Sequence, residues 1–238
     1  MPSALIIQHE PNGPAGLVAE RLEHHGYDLE TWFVSASGAS GAAGASGTPG
    51  NDSAPDASRF DLVVALGSAH SVYDVAEVGA WIDDELAALR AAHDAGVAVF
   101  GICFGAQALC VALGGAVERS PEYEAGWVEI DTDDESVVPR GPWFTWHGDR
   151  CILPDGVTEL ARNEVGAQAF RHGNSAAVQF HPEVTSDIVR AWMAGLDGEW
   201  YARKGLDPDA MIDGFDRHRD TARANLHRML DRFLDDTA

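Results

Sequence analysis

The residues best suited to covalent chemistry surround a cysteine that stands between two glycines, Gly101-Ile-Cys103-Phe-Gly105. The apolar run 97–100 precedes this segment, and the helix-like run 106–113 follows it. A strand, a tight turn and a helix in this order are typical of a nucleophile elbow, in which flanking glycines leave room for a strained turn. The helix N-terminus favours negative charge on the sulfur, and the backbone N–H of Phe104 is left free to stabilise an oxyanion. Cys103 is therefore predicted to be a nucleophile.

A second segment offers the partners that such a cysteine needs. A thiol nucleophile requires a base, and the base requires an orienting group. His181 and Glu183 follow the strand-like run 176–180, with only Pro182 between them. If Pro182 keeps the chain extended, both side chains project to the same side, so that the imidazole accepts the thiol proton and the carboxylate fixes its tautomer. For the other two cysteines, Cys110 and Cys151, the surrounding residues favour a packing role.

These residues have to be positioned by a sheet, and the first half of the chain predicts one. Short apolar runs alternate with helical patterns, one ending near Gly26 and another running from about Ala76 to Asp94. This alternation is typical of a mostly parallel open sheet with helices on both faces. The predicted strands are residues 4–7, 29–34, 61–66 and 97–100. We expect a single α/β domain over residues 1–238, with a flexible Gly/Ala/Ser-rich insertion at 35–58.

The pattern changes after residue 115. Short strand-like runs appear at 127–130, 158–161, 167–171 and 176–180, and they predict a small antiparallel addition. The segment 187–238 is predicted to be a helical tail of two amphipathic helices. Its last helix carries Leu226, Met229, Leu230 and Phe233 on one face.

Composition excludes several classes of partner. The chain has 38 acidic and 16 basic residues, a formal net charge of −22, which disfavours binding to nucleic acid or to an anionic membrane. Three cysteines form no disulfide framework, so we expect a reducing cytoplasmic location. No Cys/His set has zinc spacing, and no Gly-x-x-x-x-Gly-Lys loop is present. We therefore expect neither a metal nor an organic cofactor, and no ATP site.

The two reactive segments also resemble a known family. Gly-Ile-Cys-Phe-Gly-Ala-Gln at 101–107 and Gln-Phe-His-Pro-Glu-Val at 179–184 look like the two signatures of class I glutamine amidotransferases. The segments 67–74, 126–127 and 146–149 add to the likeness, which spans residues 4 to about 185. Stand-alone GMP-synthase-like amidotransferase domains are the most similar. The family's fold is the flavodoxin-like open sheet expected above.

The resemblance implies a role for each matching residue. Cys103 is the nucleophile, His181 the general base and acid, and Glu183 its orienter. Ser68 and Phe104 offer the two oxyanion N–H groups. Four residues would contact the glutamine substrate, and two histidines are candidates for lining the site: Gly67, Gln107, Gly126 and Trp127 for the substrate, His9 and His147 for the lining. One departure stands out, because the family usually has Gly-Gly-Pro where this chain has Gly67-Ser68-Ala69.

The predicted reaction releases ammonia from a glutamine γ-amide through a γ-glutamyl thioester. Two alternatives remain open from the sequence. The chain is a free-standing γ-glutamyl hydrolase or peptidase, or it is a catalytically silent amidotransferase-like binding subunit. Because the chain shows no ATP site of its own, an amidotransferase of this kind would deliver ammonia to a separate synthetase subunit. The missing proline predicts a poorly formed oxyanion hole in the isolated chain, with the Ser68 N–H pointing away from the Cys103 pocket, and hence weak glutaminase activity.

Overall fold

A computed structural model describes residues 1–34 and 54–237. Most of the insertion predicted at 35–58 therefore lies outside the described residues. Its last part enters a short 3-10 helix, Ala57–Arg59, whose N-cap Asp56 accepts a hydrogen bond from the backbone N–H of Ser58.

The first half of the chain forms the parallel part of the main sheet. Strands β1, β3 and β4 consist of Val, Ile, Leu, Ala and Phe with hardly a polar residue, as expected for strands that are covered on both faces. The elements are β1 (Ser3–Gln8), α1 (Gly16–His24), β2 (Asp28–Phe33), β3 (Leu62–Ala65), α2 (Val75–Val78), α3 (Ile82–Asp94), β4 (Ala98–Ile102) and α4 (Phe104–Ala112). All four predicted strands of this half are confirmed within a few residues.

The helix predicted to run unbroken from about residue 76 to 94 is wrong in one respect. The structure has two helices there, α2 and α3, separated at Trp81, whose φ of −144° is far from helical. This break lets the buried indole of Trp81 pack against Phe104, with ring centroids 5.7 Å apart. Tertiary packing therefore overrides the helical propensity of this segment.

The second half of the chain extends the sheet in the antiparallel sense. Its strands are β5 (Ala116–Val128), β6 (Asp131–Thr132), β7 (Trp143–Ile152), β8 (Thr158–Arg162), β9 (Ala167–His172) and β10 (Ser175–Val178). In the described residues the main sheet has the order β2-β1-β3-β4-β10-β9-β8-β6, while β5 and β7 pair as a separate antiparallel ribbon. Strand β10 is parallel to β4 and antiparallel to β9. The predicted mostly parallel sheet with a small antiparallel addition is confirmed.

The tail holds three helices in the described residues, not the two that were predicted: α5 (Ser186–Met193), α6 (Gly198–Lys204) and α7 (Pro208–Thr237). Asp197 caps the start of α6 by accepting from the backbone N–H of Trp200, and Gly205 ends it in the left-handed conformation, φ 68°. These caps give the short helix α6 its own start and end. The predicted apolar face of α7 is buried as expected.

Helices cover both faces of the main sheet. Helices α1 and α7 enclose one core with β1, β4 and β10, and α3 and α4 enclose the other. A third cluster joins α5, α6 and the start of α7 to Phe144 of β7. None of the helices in ranges 1–34 and 54–237 combines the length and the hydropathy that crossing a membrane requires.

Candidate active site

Cys103 lies at the turn between β4 and α4 in a strained conformation. Its φ of 52° is the only positive φ of a non-glycine residue in the described chain. Glycine is required at positions 101 and 105 because a side chain at either position would clash with neighbouring backbone atoms. A Cβ on Gly101 would lie 2.7 Å from the carbonyl oxygen of Gly105, and a Cβ on Gly105 would overlap the carbonyl oxygen of Ala65. Hydrogen bonds from the Cys103 N–H to Val178 (2.9 Å) and from the Gly105 N–H to Leu66 (3.0 Å) fix the turn on the sheet.

His181 and Glu183 follow β10 and form a buried pair. The imidazole Nδ1 lies 2.7 Å from Glu183 Oε1, and both side chains are at most 4% exposed. The backbone on each side is held in place. The N–H of His181 donates to Phe144 (2.7 Å), and the N–H of Leu17, in the first turn of α1, donates to the carbonyl of Glu183 (2.9 Å). The pair therefore has a fixed orientation toward the cysteine.

The charge state of His181 follows from its surroundings. Burial alone lowers the pKa of His181, but the charges of Glu183 and Cys103 and hydrogen bonds to both outweigh burial. The pKa of His181 therefore lies well above its ordinary value. The two residues that raise it are the carboxylate that orients the ring and the sulfur that would give it a proton. Such an arrangement favours the protonated form of the imidazole beside the sulfur.

The Gly67-Ser68-Ala69 loop lies directly against these residues. A Cβ on Gly67 would be 3.0 Å from His181 Cε1 and 3.8 Å from Cys103 Cβ. The Ser68 hydroxyl donates to Glu10 Oε1 (2.8 Å), and the Ala69 N–H donates to the same oxygen (3.1 Å). The Glu10 carboxylate thus holds the loop at the point where the family has proline.

The side chain of His9, the residue before Glu10, supports the same loop from the side of α3. Its Nδ1 lies 3.1 Å from the carbonyl oxygen of Gly67, and its Nε2 lies 2.9 Å from Glu85. Burial lowers the pKa of His9, but the Glu85 and Glu10 carboxylates raise it above its ordinary value. A hydrogen-bonded path therefore runs from α3 through His9 to the loop.

A cavity of about 410 Å³ opens over the cysteine. The three predicted reactive residues line it, together with Gly67, Ser68, Phe104, Gln107 and His147. Neither the Ser68 N–H nor the Phe104 N–H has an internal hydrogen-bond acceptor in the described residues. Both donors are thus available to a bound carbonyl oxygen.

Not every residue predicted for the site reaches this cavity. Gly126 and Trp127 do not line it. The Trp127 indole donates to the carbonyl of Met211 (3.1 Å) and packs against Phe215 of α7, with ring centroids 4.9 Å apart. The Trp127 ring is therefore packed against the helical tail. The family motifs from which a substrate contact was predicted for Trp127 do not include this tail. His9 lies behind the loop instead of lining the cavity.

His147 does line the cavity, but both of its nitrogens are engaged by protein. Nε2 lies 2.8 Å from Glu124, and Nδ1 lies 3.0 Å from the carbonyl oxygen of Asp149. Gln107 is also buried, with its amide nitrogen 3.3 Å from Gln179 Oε1. Its partners orient this amide at the cavity floor.

Several lining residues were not predicted individually, although some of them lie in the segments 67–74 and 146–149 that resemble the family. Asp149 accepts from the hydroxyls of Ser71 and of Tyr73, the latter at 2.7 Å. Four aromatic side chains and one arginine complete the wall: Tyr123, Trp146, Trp192, Trp200 and Arg119. Trp192 and Trp200 come from the tail, far along the chain from the reactive motifs, and only folding brings them near. The described residues hold no group of three or more His, Cys, Asp or Glu side chains arranged for a metal ion.

With this geometry in place, comparison with known proteins identifies the family. A sequence model of the family described as "Glutamine amidotransferase class-I" matches residues 47–191, which is more than half of the chain. The chain belongs to this family. Class I glutamine amidotransferases hydrolyse glutamine to release ammonia.

Curated relatives point in the same direction. The chain is 36% identical over 138 residues to a glutamine-hydrolysing GMP synthase of Rhizobium etli (strain CIAT 652), and 37% identical over 131 residues to that of Mesorhizobium japonicum. These alignments cover 48% and 46% of this chain but 26% and 25% of the relatives. The chain therefore spans about a quarter of the length of the curated relatives it matches.

Solved structures agree on the fold over nearly the whole chain. A glutamine amidotransferase from Thermotoga maritima superposes with a TM-score of 0.80 and 22% identity, covering 98% of this chain and 97% of the other. A glutamine amidotransferase from Methylobacillus flagellatus gives a TM-score of 0.80 and 20% identity, covering 99% and 95%. The tail, most of which lies beyond the matched family segment, is thus included in the shared fold.

Proposed function

We propose that this chain hydrolyses the γ-carboxamide of glutamine, or of a γ-glutamyl compound, with Cys103, His181 and Glu183 as a catalytic triad. One observation carries the proposal. A buried His181–Glu183 pair with a 2.7 Å contact and a strained Cys103 open into the same cavity. A non-glycine residue at φ 52° costs about 1–3 kcal/mol and is kept where function requires it. We also propose that residues 1–238 act as one amidotransferase domain.

The reaction proceeds in two halves. Cys103 gives its proton to His181, and the sulfur attacks the γ-carbonyl carbon. The carbonyl oxygen becomes an oxyanion that accepts hydrogen bonds from the N–H groups of Ser68 and Phe104. His181 returns the proton to the amide nitrogen, the C–N bond breaks, and ammonia leaves. A thioester remains on Cys103.

Water completes the cycle. His181 takes a proton from the water, and the resulting hydroxide attacks the thioester. The C–S bond breaks, glutamate leaves, and the proton returns to the sulfur. Glu183 orients the imidazole and stabilises its charged form in both halves. Every atom comes from the substrate, from water or from these side chains.

The released ammonia either passes to a second protein or leaves into solution. The curated relatives are glutamine-hydrolysing GMP synthases, and this chain matches about a quarter of their length. We propose that a separate synthetase subunit accepts the ammonia, or that the chain releases it as a free-standing hydrolase in the cytoplasm. The loop contacts of Glu10 favour the second outcome, because they order the loop without a partner.

The test is a search for the covalent intermediate. Purified protein is mixed with glutamine, quenched in acid and digested, and the peptides are weighed by mass spectrometry. We expect a γ-glutamyl adduct on the peptide that contains Cys103, together with glutamate and ammonia in equal amounts. Failure to release glutamate from glutamine and from γ-glutamyl amides would identify a silent binding subunit instead.

A further inference from the structure

We propose that an aromatic wall, formed by Tyr123, Trp146, Trp192 and Trp200, is a subsite for the amine half of a substituted γ-glutamyl amide. The inference rests on the proposed function, since it assumes attack by Cys103 on a γ-carbonyl. The substrate class is the γ-glutamyl amides of organic amines that have an apolar body. These substrates would be cleaved in preference to glutamine itself.

The wall begins at the reacting groups. The Cys103 sulfur lies 3.8 Å from the carbonyl oxygen of Trp146. The Trp192 ring packs edge-on against the His181 ring, with centroids 4.8 Å apart. His181 is the group that protonates the leaving nitrogen. A substituent on that nitrogen therefore lies next to the Trp192 ring, and the Trp146 ring follows Trp192 along the cavity wall.

The wall is continuous beyond this point. Trp146 lies 6.2 Å from Trp192 and 6.1 Å from Trp200, measured between ring centroids. Tyr123 adds a further ring 6.0 Å from Trp200. All four side chains are half-buried and line the cavity. Together they form an apolar surface that runs outward from the triad.

The polar atoms of the rings nearest the triad are used inside the protein. The Trp146 indole donates to the Tyr123 hydroxyl (2.7 Å), and the Trp192 indole donates to the carbonyl of Asn12 (2.8 Å). Hydrogen bonds of this kind hold the rings in place, and the surfaces left to a ligand are apolar. Such surfaces bind apolar groups and, through their π-faces, cations. The Lys204 ammonium already lies over one face of Tyr123, 4.1 Å from the ring centroid, so the three indole rings are the surfaces left to a ligand.

Size and charge favour an amine larger than ammonia. A cavity of about 410 Å³ falls in the range of pockets that enclose drug-sized ligands, roughly 300–1,000 Å³. Ammonia leaving from glutamine would make no contact with an aromatic wall.

The charge of the protein favours one kind of amine. A net charge of −22 attracts cationic amines and repels leaving groups that carry a carboxylate.

The chemistry needs no additional reactant. The sulfur attacks the γ-carbonyl carbon, His181 protonates the substituted nitrogen, and the C–N bond breaks. The free amine leaves in place of ammonia. Water then hydrolyses the same thioester and releases glutamate.

The experiment compares kcat/KM across a matched set of substrates: glutamine, γ-glutamyl-methylamide, γ-glutamyl-phenethylamide, the γ-glutamyl amide of 1,4-diaminobutane, and γ-glutamylglycine. We expect the phenethylamide and the diamine amide to exceed glutamine by about tenfold or more, as for a filled apolar pocket. We expect γ-glutamylglycine, whose leaving group is anionic, to be cleaved no faster than glutamine. A faster γ-glutamylglycine would identify a peptidase and overturn the assignment to organic amines.

Variants of Trp200 test the wall itself, since this ring lies away from the reacting atoms. Trp200→Leu should lower kcat/KM for the phenethylamide about tenfold and leave glutamine within about twofold. Trp200→Phe, which keeps a ring, should restore most of the preference. Trp32→Leu is the control, because Trp32 lies on β2 and outside the cavity. Circular dichroism confirms that each variant is folded.

Two outcomes would overturn the inference while leaving the proposed function intact. In the first, wild-type protein cleaves glutamine at least as fast as every substituted amide. In the second, Trp200→Leu lowers the rate on glutamine and on the phenethylamide equally. If neither glutamine nor any amide is cleaved, the proposed function fails, and this inference fails with it.

Discussion

At the scale of single residues, the three cysteines separate by environment. Cys103 lies at a strained turn and lines the cavity, whereas Cys110 is fully buried in α4 with its sulfur 3.4 Å from the carbonyl oxygen of Ile152. Cys103→Ala should therefore lower glutamine hydrolysis by about 10⁴-fold or more, as in other enzymes that lose a triad member. Cys110→Ala should leave the rate within a few-fold. Steady-state assays of ammonia release measure both, and equal losses would contradict the assignment.

Glu183 should control the pH range of activity through His181. The Glu183 charge raises the pKa of His181, so the imidazolium that protonates the leaving group persists above the usual pH range. Activity is then lost as pH rises through that raised pKa. Glu183→Gln removes the charge, so the alkaline limb of kcat/KM should move to lower pH. The exposed Glu164→Gln serves as the control. An unchanged or upward-shifted limb for Glu183→Gln would contradict this role.

Glu10 should act as a positioning residue for the oxyanion loop. Its carboxylate accepts from Ser68 and Ala69, and Glu10→Ala removes both contacts. Loss of one oxyanion donor typically costs about 10²–10³-fold in kcat, so a loosened loop should cost about tenfold to a hundredfold. We expect kcat to fall with little change in KM, and Glu10→Gln to recover part of the loss. Exposed Glu23→Ala is the matched control, and a change confined to KM would instead indicate substrate contact.

At the scale of elements, the turn between β4 and α4 depends on close approach of backbone to backbone. A Cβ on Gly105 would overlap the carbonyl oxygen of Ala65 in β3, so Gly105→Ala must displace α4 from the sheet. Overpacking of this kind costs about 1–3 kcal/mol, and the displaced elbow should also lose activity. Gly198→Ala is the control, since its Cβ would meet no atom within 4 Å. Thermal unfolding midpoints compare the two, and equal midpoints would refute a steric requirement at Gly105.

The sequence predicted the parallel strands well because burial on both faces leaves an unmistakable apolar run. The nucleophile elbow and the His181–Glu183 pair were predictable for a similar reason, since local geometry dictates their residue types. Strand β7 was missed because polar residues such as His147 and Asp149 face inward on it. They are buried by contacts to Glu124 and Ser71 that no local pattern reveals.

At the scale of the whole molecule, the helical tail does more than close the core. Helices α5 and α6 bring Trp192 and Trp200 to the cavity, and the start of α7 takes up the ring of Trp127. In both cases the contact joins segments that are far apart in sequence. This distance explains why the aromatic wall was not predicted, and why Trp127 was predicted to contact the substrate. In our proposal the tail therefore shapes which substrates fit, while the sheet holds the proposed triad.

The tail also links its own stability to that of the sheet, which predicts a single cooperative unfolding transition. Leu230 of α7 is fully buried in the same core as β4 and β10, and Phe233 packs on Phe100 of β4 with centroids 5.3 Å apart. Leu230→Ala should cost about 2–5 kcal/mol, because the cavity it leaves can only partly collapse. If residues 1–238 form one domain, loss of helical signal in circular dichroism and loss of enzyme activity should coincide in urea, for wild type and variant alike. An exposed site on the same helix, Arg219→Ala, should leave the midpoint nearly unchanged. Two separate transitions, with the tail unfolding first and activity persisting, would show that the tail is an independent unit.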